Sequence, residues 1–227
     1  MIRLEADAAA LARDGLMSDE LREHSAQLLR CLPWSSETPR RESRALGVTA
    51  CGGGAGVSTL AASLAETAAS AEEGPVLLVD ANLERPRAHR LLGVDPAPGL
   101  AEALADGTPA PYLQVSSVAN LAVLAAGAAG ARLARIWAAP ALAEVFKTLR
   151  AEFSLIVVDM PPPDRASFVG RLASLLDGVL LVVEADCIRA DVARRQKDLL
   201  ARAKARLLGV VLTKQKQHIP TSLNRYL

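Results

Sequence analysis

The sequence predicts an α/β protein whose doubly wound, mostly parallel sheet carries helices on both faces. Three observations predict it. From Ala45 to Thr213, short apolar runs alternate with longer stretches whose apolar residues recur at helical spacing. Hydrophobic residues make up 51 % of the chain and aromatic ones 3 %, so the core must be aliphatic, as strands buried on both faces require. The first apolar run ends in a glycine-rich turn that opens a helix, and sheets of this kind place ligands at the carboxyl ends of their strands.

Taken in order, residues 1–34 predict a helical arm. Leu11, Leu21, Leu28 and Leu29 lie among charged residues, with a break near Gly15 and a stop at Pro33. Residues 35–44 contain no apolar side chain and predict an exposed linker. The main domain, 45–213, has strand-like runs ALGVTA, PVLLVD, LAVLAAG, SLIVVDM, GVLLVVEA and RLLGVVLT. Between them, 58–71, 140–151, 165–176 and 189–205 have the spacing of amphipathic helices. Right-handed crossovers then order the strands into a parallel sheet. A polar tail, 214–227, closes the chain, and no internal repeat is visible.

Composition narrows the functional classes. The net charge of +1 gives no general pull toward nucleic acid or an anionic surface. Cys31, Cys51 and Cys187 are too few and too scattered for a disulfide framework or a zinc site, which points to a reducing cytoplasm. The first residues carry Glu5, Asp7 and Asp14 and lack the grading of a signal peptide. No apolar run reaches the roughly 18 residues that a spanning helix needs, so any membrane association is expected through a partner.

The turn reads Cys51-Gly-Gly-Gly-Ala-Gly-Val-Ser-Thr59. Gly53, Gly54, Ala55 and Gly56 let the backbone curl with its amides inward, and the helix that begins at Val57, Ser58 and Thr59 adds partial positive charge: a cradle for phosphate. Against the pattern G-x-x-x-x-G-K-[ST], Gly56 and Ser58 match, Cys51 stands at the first glycine and Val57 stands at the lysine. Ser58 is then the expected magnesium ligand, and the ammonium that contacts the β- and γ-phosphates is missing. Cys51 reads as a small residue tolerated in the turn rather than a reactive thiol.

The second run ends at Asp80 and continues ANLERPRAH to His89; another run ends in Asp159-Met-Pro-Pro162. Two strand-end aspartates after a glycine-rich loop point to a magnesium site. The loop, D-A-N-L-E-R-P-R-A-H, Gly99-Leu-Ala-Glu-Ala-Leu104 and D-M-P-P together resemble the cytoplasmic domain of bacterial tyrosine kinases, which belong to the MinD- and ParA-like P-loop NTPases and partner polysaccharide co-polymerases. R-P-x-x-H is the most specific element, and the resemblance runs from about Ala45 to Thr213.

The resemblance implies ATP or ADP with Mg2+ as ligand, Asp80 holding metal and positioning the acceptor hydroxyl, and Asp159 supporting the metal from behind. It implies a cytoplasmic location and a partner at the cytoplasmic ends of an inner-membrane co-polymerase. Departures from the family pattern weaken charge complementarity: Asn82 replaces the second aspartate of the pair, Glu84 an arginine and Val57 the lysine. Thr213 stands where relatives carry an asparagine near the base, and the tail has Tyr226 alone as a candidate phosphoacceptor. Glu23, Gln27 and Arg30 resemble the family's ring-forming motif with altered spacing, which leaves a homo-oligomer open. The expected function is a kinase-like, catalytically impaired regulator of polysaccharide chain length or export. An active autokinase using Arg85 or Arg87 is the first alternative, and a positioning ATPase the second, although Gly52 replaces the early lysine of that group.

Overall fold

The computed structural model describes residues 2–3, 18–33, 43–71, 74–128, 141–164 and 168–214. Among them the chain runs β1 (Ile2–Arg3), α1 (Asp19–Cys31), β2 (Arg44–Ala50), α2 (Val57–Ser70), β3 (Val76–Asp80), α3 (Ala88–Leu92) and α4 (Leu100–Asp106). A 3₁₀ turn at Ala110–Tyr112, β4 (Gln114–Val115) and β5 (Leu121–Leu124) follow, and then α5 (Ala141–Glu152), β6 (Leu155–Asp159), α6 (Val169–Ala173), β7 (Gly178–Glu184), α7 (Ala190–Arg202) and β8 (Leu207–Thr213). The described strands form one sheet in the order β1-β8-β7-β2-β6-β3-β5-β4, parallel except for the β4–β5 pair.

Alternation along each strand separates two aliphatic cores. Leu77, Val79, Ile156 and Val158 face one way and join Phe146 and Leu149 of α5 and Leu100 and Leu104 of α4. Leu46, Val48, Leu78 and Val157 face the other way and meet Leu60, Ala61 and Leu64 of α2. Both faces of β3 are buried from Val76 to Asp80, which explains its unbroken V-L-L-V run. Because β2 lies between β6 and β7, its carboxyl end emerges in the middle of the sheet, and α2 starts there.

The amino-terminal region differs from the expected helical arm over residues 1–34. Ile2–Arg3 is an edge strand parallel to β8, and the described helix is confined to Asp19–Cys31. Ser18 caps it, its hydroxyl accepting from the Leu21 N–H at 3.3 Å. This helix docks on the domain: Leu28 is fully buried within the α2-side core, and the Ser25 and Ser63 hydroxyls pair at 2.8 Å. A two-residue strand pairs only through distant residues and has no periodicity of its own, so the local pattern could not show it. Of the expected linker, 35–42 lies outside the described residues, and Arg44 already belongs to β2.

The G-L-x-x-x-L segment has a packing role. The Gly99 N–H donates to Glu102 Oε2 at 2.7 Å, and Glu102 Oε1 accepts from the Ala128 N–H at 2.9 Å. A Cβ on Gly99 would lie 2.1 Å from the Ala125 carbonyl oxygen, so glycine is required where α4 begins against the strand β5 exit. Among the described residues no helix is long and apolar enough to cross a membrane.

Candidate functional site

The glycine turn bridges β2 and α2. Gly54 and Gly56 have φ of 88° and 87°, a left-handed backbone that a side chain would strain, and Gly56 is the residue from which α2 departs. None of the N–H groups from Gly52 to Gly56 has a hydrogen-bond partner among the described residues. Two carbonyls of the same turn are tied down. The Thr213 hydroxyl donates to the Ala55 carbonyl at 2.9 Å, and Lys214 Nζ donates to the Gly54 carbonyl at 2.7 Å while pairing with Glu184 at 3.1 Å. Carbonyls are thus fixed toward the ends of β7 and β8, and the amides stay free to receive an anion.

Asp80 and Asp159 end β3 and β6 and stand side by side in the register. Both are fully buried. Asp80 is well held: Oδ1 accepts from the Asn82 N–H at 3.1 Å, and Oδ2 accepts from the N–H groups of Arg87 and Ala88, each at 2.9 Å. Its pKa is nonetheless raised, because desolvation outweighs those three donors and the His89 charge. Neither carboxylate oxygen of Asp159 has a hydrogen-bond partner among the described residues. Burial first, and the Asp80 charge second, push its pKa well above the usual carboxylate range; the nearby Ser58 hydroxyl and Arg87 guanidinium offset this in part. A buried acid with two oxygens lacking hydrogen-bond partners among the described residues, beside a second acid and a hydroxyl, suits a cation ligand. Mg2+ is held by one or two carboxylates together with water and phosphate oxygens, so Asp80, Asp159 and Ser58 form a suitable donor set.

The remaining predicted residues divide by position. Gly53 and Gly54 are exposed, Ala55 is buried, and Thr59 lies in the first turn of α2. Val57, at the lysine position, is half-buried and packs against the α2-side core. Asn82 contributes its main chain, donating to Asp80 and accepting from the Arg85 N–H at 3.1 Å. Thr213 is engaged with the turn itself through its hydroxyl. Cys51 is buried and its thiol is pushed up to about 11 by desolvation and then by Asp164, so it stays protonated at neutral pH. Tyr226 lies outside the described residues.

Sequence reading passed over Lys214 and Glu184. Both sit at strand ends, where ligand-facing residues of such sheets gather, so their position was the available signal. Lys214→Met removes a charged donor from the Gly54 carbonyl and leaves Glu184 unpaired. The expected result is a loss of about 1 kcal/mol in stability for this partly exposed pair, read by denaturant unfolding.

Comparison with known proteins agrees with this geometry. The family model ParA, described as NUBPL iron-transfer P-loop NTPase, matches residues 42–223. The tyrosine-protein kinase YwqD of Bacillus subtilis is 28 % identical over 178 residues, covering 78 % of this chain and 74 % of that protein. The kinase domain of the Escherichia coli tyrosine kinase ETK superposes with a TM-score of 0.83 at 18 % identity, over 96 % of this chain and 92 % of that one. The septum site-determining protein MinD from Pyrococcus horikoshii, solved with Mg-ADP, gives a TM-score of 0.64 at 24 % identity, over 81 % of this chain and 76 % of that one. With a free-amide glycine turn opposite two strand-end acids, and a family match over most of its length, the chain belongs to the ParA family of P-loop NTPases and within it resembles the bacterial tyrosine-protein kinases.

Proposed function

We propose that this protein is a kinase-like regulator of polysaccharide chain length or export that binds Mg-ATP or Mg-ADP and is impaired in phosphoryl transfer. One observation carries the reading: the turn keeps its free amides and its facing acid pair, yet Val57 occupies the lysine position and packs toward the core. The parts that hold a phosphate chain and its metal are retained. The charge that stabilises the transferring phosphoryl group is not, and loss of one such donor typically costs about 10² to 10³ in rate.

In this reading Asp80 and Asp159 hold Mg2+ with Ser58, the main-chain N–H groups of Gly53 to Thr59 surround the phosphates, and Thr213 sits at the base end while bracing the turn. When bound, Mg2+ would neutralise phosphate charge. Asn82 and Glu84 lower the positive potential that a working kinase of this family would carry. The protein then acts as a nucleotide-responsive partner of the cytoplasmic ends of a membrane co-polymerase, placed at the inner membrane through that contact. The resemblance in motif order and the kinase relative support the partner.

The test is a calorimetric titration of the full chain with the cytoplasmic terminal segment of a polysaccharide co-polymerase, with and without Mg-ADP. Binding that changes with nucleotide is expected. Absence of binding in both conditions overturns the regulatory reading.

A further inference from the structure

The segment from Asn82 to Ala88 is fixed by the acid it surrounds. Three of its main-chain N–H groups converge on the Asp80 carboxylate, and the Arg85 N–H closes a turn on the Asn82 carbonyl. A loop pinned in this way has little freedom to carry its side chains elsewhere. It presents two arginines at the mouth of the site. Arg85 Nη1 lies 3.8 Å from where a Cβ on Gly53 would stand, so its guanidinium reaches the edge of the glycine turn. Arg87 follows two residues later, beside the buried acids.

Both side chains are exposed, and neither forms an ion pair among the described residues. Most arginines so placed would be solvated surface groups. These two differ because their backbone is anchored to the same acid that faces the turn. The site also contains Asp159, fully buried with neither oxygen hydrogen-bonded among the described residues, which marks a place suited to a ligand that completes it. Free amides on one side, acids for a cation on another and guanidinium groups at the rim form a set suited to a metal-bound phosphate chain.

We propose that Arg85 and Arg87 supply, from the β3–α3 segment, the positive charge that Val57 leaves out of the glycine turn, and that they bind the terminal phosphates of a nucleotide. This rests on the nucleotide-binding reading above and refines it. An arginine reaching in from a solvent-exposed rim restores ground-state attraction. It does not restore a charge fixed within the turn itself, so binding survives where transfer is impaired.

The experiment titrates the full chain and the double variant Arg85→Gln, Arg87→Gln with Mg-ADP and, separately, with Mg-pyrophosphate. The variant should lose about tenfold or more in affinity for both ligands, with the melting temperature lowered by a few degrees at most, because among the described residues neither guanidinium forms an ion pair and only Arg87 acts electrostatically on Asp159. Equal affinity in the two proteins overturns the arginine assignment alone. Loss for Mg-ADP with none for Mg-pyrophosphate also overturns it, because the contact would then be to base or ribose. No binding of either ligand by the unaltered protein overturns the nucleotide reading together with this one.

Discussion

Asp159→Asn is expected to make the unliganded protein more stable while abolishing its Mg2+-dependent nucleotide binding. The carboxylate is fully buried, neither oxygen has a hydrogen-bond partner within normal distance among the described residues, and it faces Asp80 across adjacent strands. An amide of the same shape carries no charge and can donate toward Asp80. The gain should be on the order of 1 to 2 kcal/mol, or several degrees in melting temperature for a chain of this size. Thermal unfolding, followed with and without Mg2+, checks it. The variant should also flatten a pH dependence. Both acids have raised folded-state pKa values, so the folded protein holds protons that the unfolded chain has released. For this pair, stability is greatest below the unfolded carboxyl value of about 3.9 and falls as pH rises through the raised folded values. Removing one of the two acids removes most of that fall. A destabilised variant, or unchanged Mg2+ dependence, would show that Asp159 is a packing residue.

Val57→Lys is expected to raise affinity for Mg-ADP by about ten- to a hundredfold, since one charged hydrogen bond to phosphate is worth roughly 1.5 to 3 kcal/mol. Val57 stands at the start of α2, half-buried, beside a turn whose amides are unpaired. A lysine stem is long enough to leave the core edge and bring its ammonium over the turn, at the modest cost of the packing that Val57 makes with the α2-side core. Calorimetry on the variant measures the gain. If affinity does not change, the turn does not hold phosphate in the standard way.

Much of this arrangement could be read from the residues. V-L-L-V-D and L-I-V-V-D are runs that only a doubly covered strand explains, and their terminal aspartates do lie side by side, at the end of the sheet where β2 gives way to the glycine turn. Helix spacing placed α2, α5 and α7 to within a few residues. For 165–176 the described helix is shorter, Val169–Ala173, because Ser174 already caps it. Helices α3 and α4 escaped notice as helices. Five or seven residues are too few for a periodic pattern, and tertiary contacts hold them: the Asp80 carboxylate at the start of α3, and at the start of α4 the Ala125 and Ala126 carbonyls, which accept from the Leu100 and Ala101 N–H groups. The bracing of the turn by Lys214 was equally hidden, since Gly54 and Lys214 are 160 residues apart and meet only when β8 completes the sheet. The bond from the Thr213 hydroxyl to the Ala55 carbonyl was hidden for the same reason.

As proposed above, an intact phosphate cradle facing two buried acids lacks the fixed cation needed for transfer. Phosphate release and tyrosine phosphorylation, measured at saturating Mg-ATP on the full chain beside Asp80→Ala, test it most directly. Turnover indistinguishable from that of the Asp80→Ala control is the predicted result; vigorous turnover that Asp80→Ala abolishes would contradict it.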